Sequence, residues 1–207
     1  MNNYLKKYGL RRRLIDVAPE PDLGIVVVLP AYDEPNIHHA LNALHQCERP
    51  GCGVEVIVVV NQSEKAPPEV QCRNEQTFSE VLSWQNRREE GFRVYGIMED
   101  RLPEKHAGVG LARKIGMDEA VRRFDLVGHD GIIACFDADA TCTANYLTAV
   151  ERHFREHPNS PGCSIRFEHA VFGTEFEPHV YLGAAYYELH LRYYNQALRA
   201  TGFPAAY

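Results

Sequence analysis

The sequence predicts an α/β fold, a mostly parallel sheet flanked by helices. Three observations carry the prediction. The continuous β-branched run at residues 25–29 is the mark of a strand covered on both faces, residues 54–60 read as a second strand, and 131–136 as a further, apolar one. Stretches with apolar residues at helical spacing lie between them, and Pro and Gly punctuate the joints. Strand and helix alternating in this rhythm mean parallel strands joined by right-handed crossovers.

The elements follow in order. A polar lead with basic groups at Lys6-Lys7 and Arg11-Arg12-Arg13 and prolines at Pro19 and Pro21 precedes the first strand, which Pro30 is expected to end. Pro35 suits a first helical turn, and Ile37, Ala40, Leu41 and Leu44 predict a helix to about Gln46. After the second strand, Pro67-Pro68 opens a helix supported by Val70, Phe78, Val81, Leu82 and Trp84, with Gly91 as its stop. Residues 93–98 read as a third, less apolar strand nearer a sheet edge. A helix over 110–124 shows Ala112, Ile115, Gly116, Ala120 and Val121 on one face. The strand at 131–136 is followed by a helix over 144–156, a break at Pro158 and Pro161-Gly162, a strand near 164–171, and a last helix over 181–200. Leu182, Ala185, Tyr186, Leu189 and Tyr193 form the apolar face of that helix, and its tyrosines read as core packing with hydroxyls at the rim or as sugar-stacking rings.

Composition narrows the function classes. The chain has 207 residues, 45% hydrophobic and 24% charged, enough for an ordinary globular core. A net charge of -6 argues against a nucleic-acid surface, which needs a basic stripe. The N-terminal cations are a solvated arm, or else a contact for an anionic membrane surface. With no signal-peptide core and no apolar run of transmembrane length, a cytoplasmic location is expected, peripheral at the membrane if the arm binds there. The 6 cysteines lack metal-site pairing and are expected to be reduced and structural, Cys135 inside its strand; a Cys47–Cys52 bridge across Pro50-Gly51 is the alternative.

The chemistry concentrates at Asp137-Ala138-Asp139, directly after the strand at 131–136. Two carboxylates at the C-terminal edge of a parallel strand stand where open α/β sheets bind ligands, and a divalent cation can bridge them to a diphosphate. The alternative is a solvated turn.

Four stretches, in order and in register, resemble family 2 glycosyltransferases, inverting enzymes of GT-A fold. Val28-Leu29-Pro30-Ala31-Tyr32-Asp33-Glu34 is similar to the family's Pro-Ala-Tyr-Asn-Glu opening, and Val58-Val59-Val60-Asn61-Gln62-Ser63 to its second strand and turn. The run from Gly108 to Gly116 resembles the family's Gly-x-x-x-Ala-Arg-Asn-x-Gly helix start, and residues 136–139 its metal motif. The match spans residues 24–150. It implies a GT-A type, Rossmann-like sheet and a hexosyltransferase type of activity, in which sugar moves from a nucleotide-diphosphate sugar, UDP-sugar favoured, to an acceptor hydroxyl with inversion. The acceptor, whether glycan, lipid or small molecule, stays unnamed.

The resemblance assigns roles residue by residue. Asp137 and Asp139 would hold Mg²⁺ or Mn²⁺ against the diphosphate. Pro30 and Tyr32 would frame the nucleobase, Tyr32 by stacking or merely by covering the sheet end. Asn61 stands where the family has a base-reading Asp, which leaves the base open because an amide both donates and accepts. Gly108 and Gly110 would bring helix N-terminal amides to phosphate, with Arg113 and Lys114 adding charge, or they are a turn with surface cations. Glu34 would orient the loop or the ribose, or cap the following helix. An inverting transfer also needs a carboxylate base. No Asp follows Asp139, and Glu168 and Glu175 are weak candidates, so the chain reads as an enzyme cut short of its base: a lead over 1–23, a nucleotide-sugar-binding subdomain over 24–160 and the start of an acceptor-side subdomain over 161–207. A nucleotide-binding module without turnover is the alternative. A sugar-phosphate nucleotidyltransferase is discounted, since its Gly-rich loop would occupy 30–35, which holds no glycine.

Overall fold

The computed structural model describes residues 2–9, 12–87 and 91–203. The chain divides into two compact units, Met1–Asn159 and Ser160–Tyr207. Arg11 of the N-terminal basic group lies outside the described residues.

The first unit holds α1 (Asn3–Lys7), β1 (Leu23–Ala31), α2 (Ile37–His45), β2 (Gly53–Ser63), α3 (Pro68–Gln85), β3 (Phe92–Leu102), α4 (Val109–Val127), β4 (Ile132–Cys135) and α5 (Tyr146–Glu156). The four strands form one sheet in the order β3-β2-β1-β4, and every pairing is parallel. The chain runs outward from β1 through β2 to the edge strand β3, then returns past β1 to β4. That reversal makes the gap beyond β1 and β4 the switch point of the sheet, where such sheets bind ligands.

Side chains alternate across a strand, and the sheet therefore has two apolar faces. Ile25, Val27, Leu29 and Ala31 of β1, with Val54, Val56, Val58 and Val60 of β2, pack against α2, α3 and α5. Val26, Val28, Ile57 and Val59 pack against Ala112, Ile115, Ala120 and Phe124 of α4, with Ile15 of the lead beside them. Gly116 sets how closely α4 lies on β1, because a Cβ there would sit 2.4 Å from Val28 Cγ1.

Within this second layer is a buried ion pair. Arg123 of α4 donates through Nε and Nη2 to the two carboxylate oxygens of Glu55 on β2, and Nη1 donates to the Val17 carbonyl at 2.9 Å. The guanidinium also lies 4.7 Å from the centre of the Tyr95 ring. The lead is tied to the same helix, where Tyr4 Oη donates to Asp118 (2.8 Å) and Lys114 Nζ to the Tyr8 carbonyl (2.9 Å), and to β3, where Arg12 pairs with Glu99.

Several sequence expectations are corrected. β1 does not end at Pro30 but continues through Ala31. Successive residues of a strand turn their backbone groups to opposite neighbours, so Pro30 faces the side of Val28, whose carbonyl takes the Phe136 N–H at 3.0 Å. β4 has already ended there, and the missing proline N–H forfeits no ladder bond. α3 stops at Gln85 with Asn86 as cap, well before Gly91, whose φ of +69° serves the turn into β3 instead. Cys135 lies in β4 yet is exposed, because β4 is a four-residue edge strand. The Cys47–Cys52 bridge is absent: all six cysteines are free thiols, and Cys47 Sγ lies 3.5 Å from Cys142 Sγ. Burial, with Cys47 alongside, pushes the Cys142 thiol up to about 12.

In the second unit, α6 (Pro178–Ala200) forms, but the strand near 164–171 does not. Its alternating Ile165, Phe167 and Val171 are all exposed; β-branched and aromatic residues make a strand only against a neighbouring strand and a packed face, and no described segment pairs with it. The expected apolar face of α6 is likewise uncovered, with Tyr181 its one buried residue. No helix among the described residues is long and apolar enough to cross a membrane.

Removing Arg123 tests the buried pair. Arg123→Ala leaves the Glu55 carboxylate buried and alone and is expected to cost about 3–5 kcal/mol in urea unfolding. The Arg123→Ala, Glu55→Leu double variant is expected to recover part of that loss, since it removes the stranded charge.

Candidate functional site

A cavity of about 390 Å³ opens at the C-terminal ends of the strands, lined by Pro30, Tyr32, Glu34, Asn61, Val109, Arg113, Asp137, Ala138 and Asp139. Four separate stretches of chain meet there, each delivered by a secondary-structure element. Pro30, Tyr32 and Glu34 come from the end of β1 and the turn after it, Asn61 from the end of β2. Val109 and Arg113 belong to the first turns of α4, and residues 137–139 follow β4.

Phe136 and Ala138 are buried while Asp137 and Asp139 are exposed, so the alternation of β4 persists for four residues past the strand and turns both carboxylates outward. The Asp137 carbonyl accepts the Ala140 N–H at 3.1 Å, closing the turn. Arg113 Nη2 donates to Asp137 Oδ1, and the Nε of Arg113 is buried without a partner among the described residues. The two side chains are 35% and 58% exposed. An ion pair with that much water around it contributes about 0–1 kcal/mol, so a ligand offering either group a better partner displaces it cheaply.

Asn61 is the other unsatisfied group. The residue is 1% exposed, and neither its Oδ1 nor its Nδ2 has a hydrogen-bond partner among the described residues. Stranded buried amide atoms cost about 1–3 kcal/mol each, and at a cavity wall that deficit points to a ligand.

The loop between β1 and α2 is held from α3. Asp33 has a left-handed backbone, φ +53°, which Asp tolerates better than most residues. Its N–H donates to Asn74 Oδ1 at 2.9 Å and its carboxylate accepts from Arg73 at 2.8 Å, while Thr77 Oγ1 donates to the Glu34 carbonyl at 2.8 Å. Asn74 Nδ2 turns the other way and donates to Gln62 Oε1 at 2.9 Å, beside the end of β2. One buried amide thus sets the spacing between the Tyr32 loop and the Asn61 segment. Sequence reasoning missed Asn74 and Thr77 because polar helix residues read as solvent-facing. The signal was their spacing: Val70, Asn74, Thr77, Val81 and Trp84 form one buried stripe.

Other expected site residues are placed elsewhere or locally engaged. Glu34 lines the cavity, yet its Oε1 also accepts the Asn36 N–H at 2.9 Å just ahead of α2. Lys114 does not line the cavity. Burial works against its charge, but the hydrogen bond from its Nζ to Asp118 (2.6 Å), the charge of that carboxylate and Tyr4 together outweigh it and hold the ammonium above its ordinary range. Gly108 is the N-cap of α4; a Cβ at Gly108 or Gly110 would meet nothing within 4 Å, so both leave open space at the helix start, where amides lack intrahelical acceptors. In the second unit Glu168 pairs with Arg166 and Arg192, and Glu175 is exposed, its N–H donating to Tyr181 Oη at 3.0 Å.

The charge at the cavity decides what it can hold. Three carboxylates, Glu34, Asp137 and Asp139, face one guanidinium, Arg113. A diphosphate alone would be repelled. A hard divalent cation would bring the balance close to neutral, and the donor set of carboxylate oxygens fits one. Among the described residues no cluster of three or more ligating side chains exists, so such an ion would take its remaining oxygens from the diphosphate and water.

Fold and site together define an α/β protein with a mixed-charge ligand cavity at the switch point of a parallel sheet. No protein-family profile matches the chain, and no curated protein matches it. Among solved structures, S. aureus TarS 1-349 is similar at 17% identity and TM-score 0.44, over 74% of this chain and 43% of that one. The same S. aureus fragment in complex with UDP-GlcNAc gives 17%, TM-score 0.46 and coverages of 73% and 39%; in complex with UDP it gives 17%, 0.45, 73% and 40%. The chain therefore spans about two fifths of the length of these neighbours.

The Asn74 brace gives a direct test. Asn74→Ala strands the Asp33 N–H and Gln62 Oε1 and is expected to cost about 1–3 kcal/mol in urea unfolding. Arg73→Ala, which removes only the half-exposed pair with Asp33, is expected to cost less than about 1 kcal/mol.

Proposed function

We propose that the protein is a glycosyltransferase of family 2 type, moving a sugar from a nucleotide-diphosphate sugar to an acceptor hydroxyl with inversion and with a divalent cation's help. The observation that carries this reading is convergence: the four stretches that resemble the family lie far apart in sequence, and all contribute to one cavity. A chance likeness in one motif gives no reason for the other three to meet it.

The geometry supports a role for each residue. Asp137 and Asp139 would hold Mg²⁺ or Mn²⁺, which supplies charge neutralisation for the diphosphate leaving group. With Asp137 turned to the cation, Arg113 would keep its charge on the phosphate side, where its orphaned Nε would find an acceptor. The open amides beyond Gly108 and Gly110 offer further donors to phosphate oxygen. Tyr32, 53% exposed at the cavity, offers a ring on which a base can stack. Asn61 meets the base edge, and a uracil nucleotide, which the family resemblance favours, is a donor that its amide can read. The base that deprotonates the acceptor is assigned to none of the cavity carboxylates, since Asp137 and Asp139 would serve the cation and Glu34 accepts the Asn36 N–H.

Calorimetry with UDP and Mn²⁺ tests the reading. Wild type is expected to bind UDP only when Mn²⁺ is present. Asp137→Asn and Asp139→Asn are expected to lose that cation-dependent binding with unchanged melting temperature, because both side chains face solvent. Equal affinity in all three proteins would remove the metal role.

Asn61→Ala is expected to weaken UDP binding by about 1–3 kcal/mol through the lost buried hydrogen bonds. Release of UDP from a panel of UDP-sugars, followed over time, separates a transferase from a module that only binds.

A further inference from the structure

The reading above leaves open how strictly the base is chosen, and the wall of the cavity speaks to that. In a site that discriminates, the residue touching the base edge is locked by a neighbour that fixes which of its atoms points outward. Asn61 has no such neighbour. Its Oδ1 and Nδ2 are both unpartnered among the described residues. The adjacent amide that could have locked it is spent: Asn74 Nδ2 donates to Gln62 Oε1, and Asn74 Oδ1 accepts the Asp33 N–H. The contact from Asn74 Nδ2 to Asn61 reaches the backbone carbonyl, at 3.5 Å, not the side chain.

We infer that Asn61 makes the site ambivalent between uracil and cytosine, so that cytidine as well as uridine diphosphates enter it. The inference rests on the nucleotide reading of the cavity. Uracil presents an N3–H donor beside the O4 acceptor. Cytosine presents the reverse, an N3 acceptor beside the N4 amino donor. A side-chain amide carries one acceptor and one donor side by side, and turning it by half a rotation exchanges them. Because no protein hydrogen bond is broken by that turn, both orientations are open to Asn61 at similar cost. A carboxylate at the same position accepts only. It would take the uracil N3–H but set its lone pairs against cytosine N3.

The two ligands isolate this edge, since UDP and CDP share ribose, diphosphate and ring size. Calorimetry with each, in Mn²⁺ at pH 8, is carried out on wild type and on Asn61→Asp. Wild type is expected to bind UDP and CDP with Kd values within about threefold of each other. The Asn61→Asp variant is expected to keep UDP within about fivefold of wild type and to weaken CDP about tenfold or more, the penalty of facing a buried acceptor with an acceptor. A wild-type preference for UDP of tenfold or more overturns the inference while leaving the nucleotide site standing, and that measurement does not depend on the variant folding. An equal loss of both ligands in a variant that still melts cooperatively also overturns it. Failure of wild type to bind either nucleotide, with or without Mn²⁺, overturns the nucleotide reading and the inference with it.

Discussion

The hydrogen bond from the Phe136 N–H to the Val28 carbonyl, 3.0 Å long, is the last rung between β1 and β4, and the candidate site depends on its position. Below it the two strands share a parallel ladder and both faces of the sheet are packed. Above it β1 runs on to Ala31 paired with β2 only, while the chain after β4 turns away through residues 137–140. The divergence opens the crevice. Pro30 stands at the first position beyond the rung, where no donor is needed, and Asp137 and Asp139 stand on the opposite lip. Had β4 been two residues longer, a strand would occupy the space of the cavity and Pro30 would interrupt its ladder.

Holding that crevice open falls to polar groups inside the protein. Asn74 ties the Tyr32 loop to the end of β2, and Thr77 adds a bond to the Glu34 carbonyl. On the other face of the sheet, Glu55 and Arg123 bind α4 to β2 in a dry layer, while Lys114, Asp118 and Tyr4 clasp the N-terminal lead against the same helix. Burying an ion pair brings little net stability, since desolvation offsets the attraction. Its consequence is register: a two-point carboxylate contact is made at one placement of α4 only. The start of α4 brings Val109 and Arg113 to the cavity, and the close approach at Gly116 fixes the same helix against Val28.

The strands and most helices were legible because their signals are local. Val56 to Val60 is apolar without interruption, as a central strand between two covered faces requires, and the less apolar β3 fell at the edge. Where the reading failed, the missing information was non-local. Ile165, Phe167 and Val171 alternate as a strand would, but a strand also needs a partner. Cys135 belongs to an apolar run, yet its exposure depends on which strand ends the sheet. Asn74 looks like a surface residue until the loop that it holds is in place.

The same division applies to the site. By itself the sequence determined the strand-ending motifs, the carboxylate pair after β4, the amide of Asn61 and the Gly-rich start of α4, since each is a short pattern set by backbone and side-chain chemistry. Only the tertiary structure decided which of these residues share a space. It brought Tyr32, Asn61, Arg113 and Asp137 to one cavity, committed Lys114 to Asp118 and the lead, and left both side-chain polar atoms of Asn61 without a partner among the described residues. The reason is physical. A residue's chemistry is carried by its own atoms, whereas its partners are set by strand order and helix placement, which arise from packing between residues that are distant in the chain.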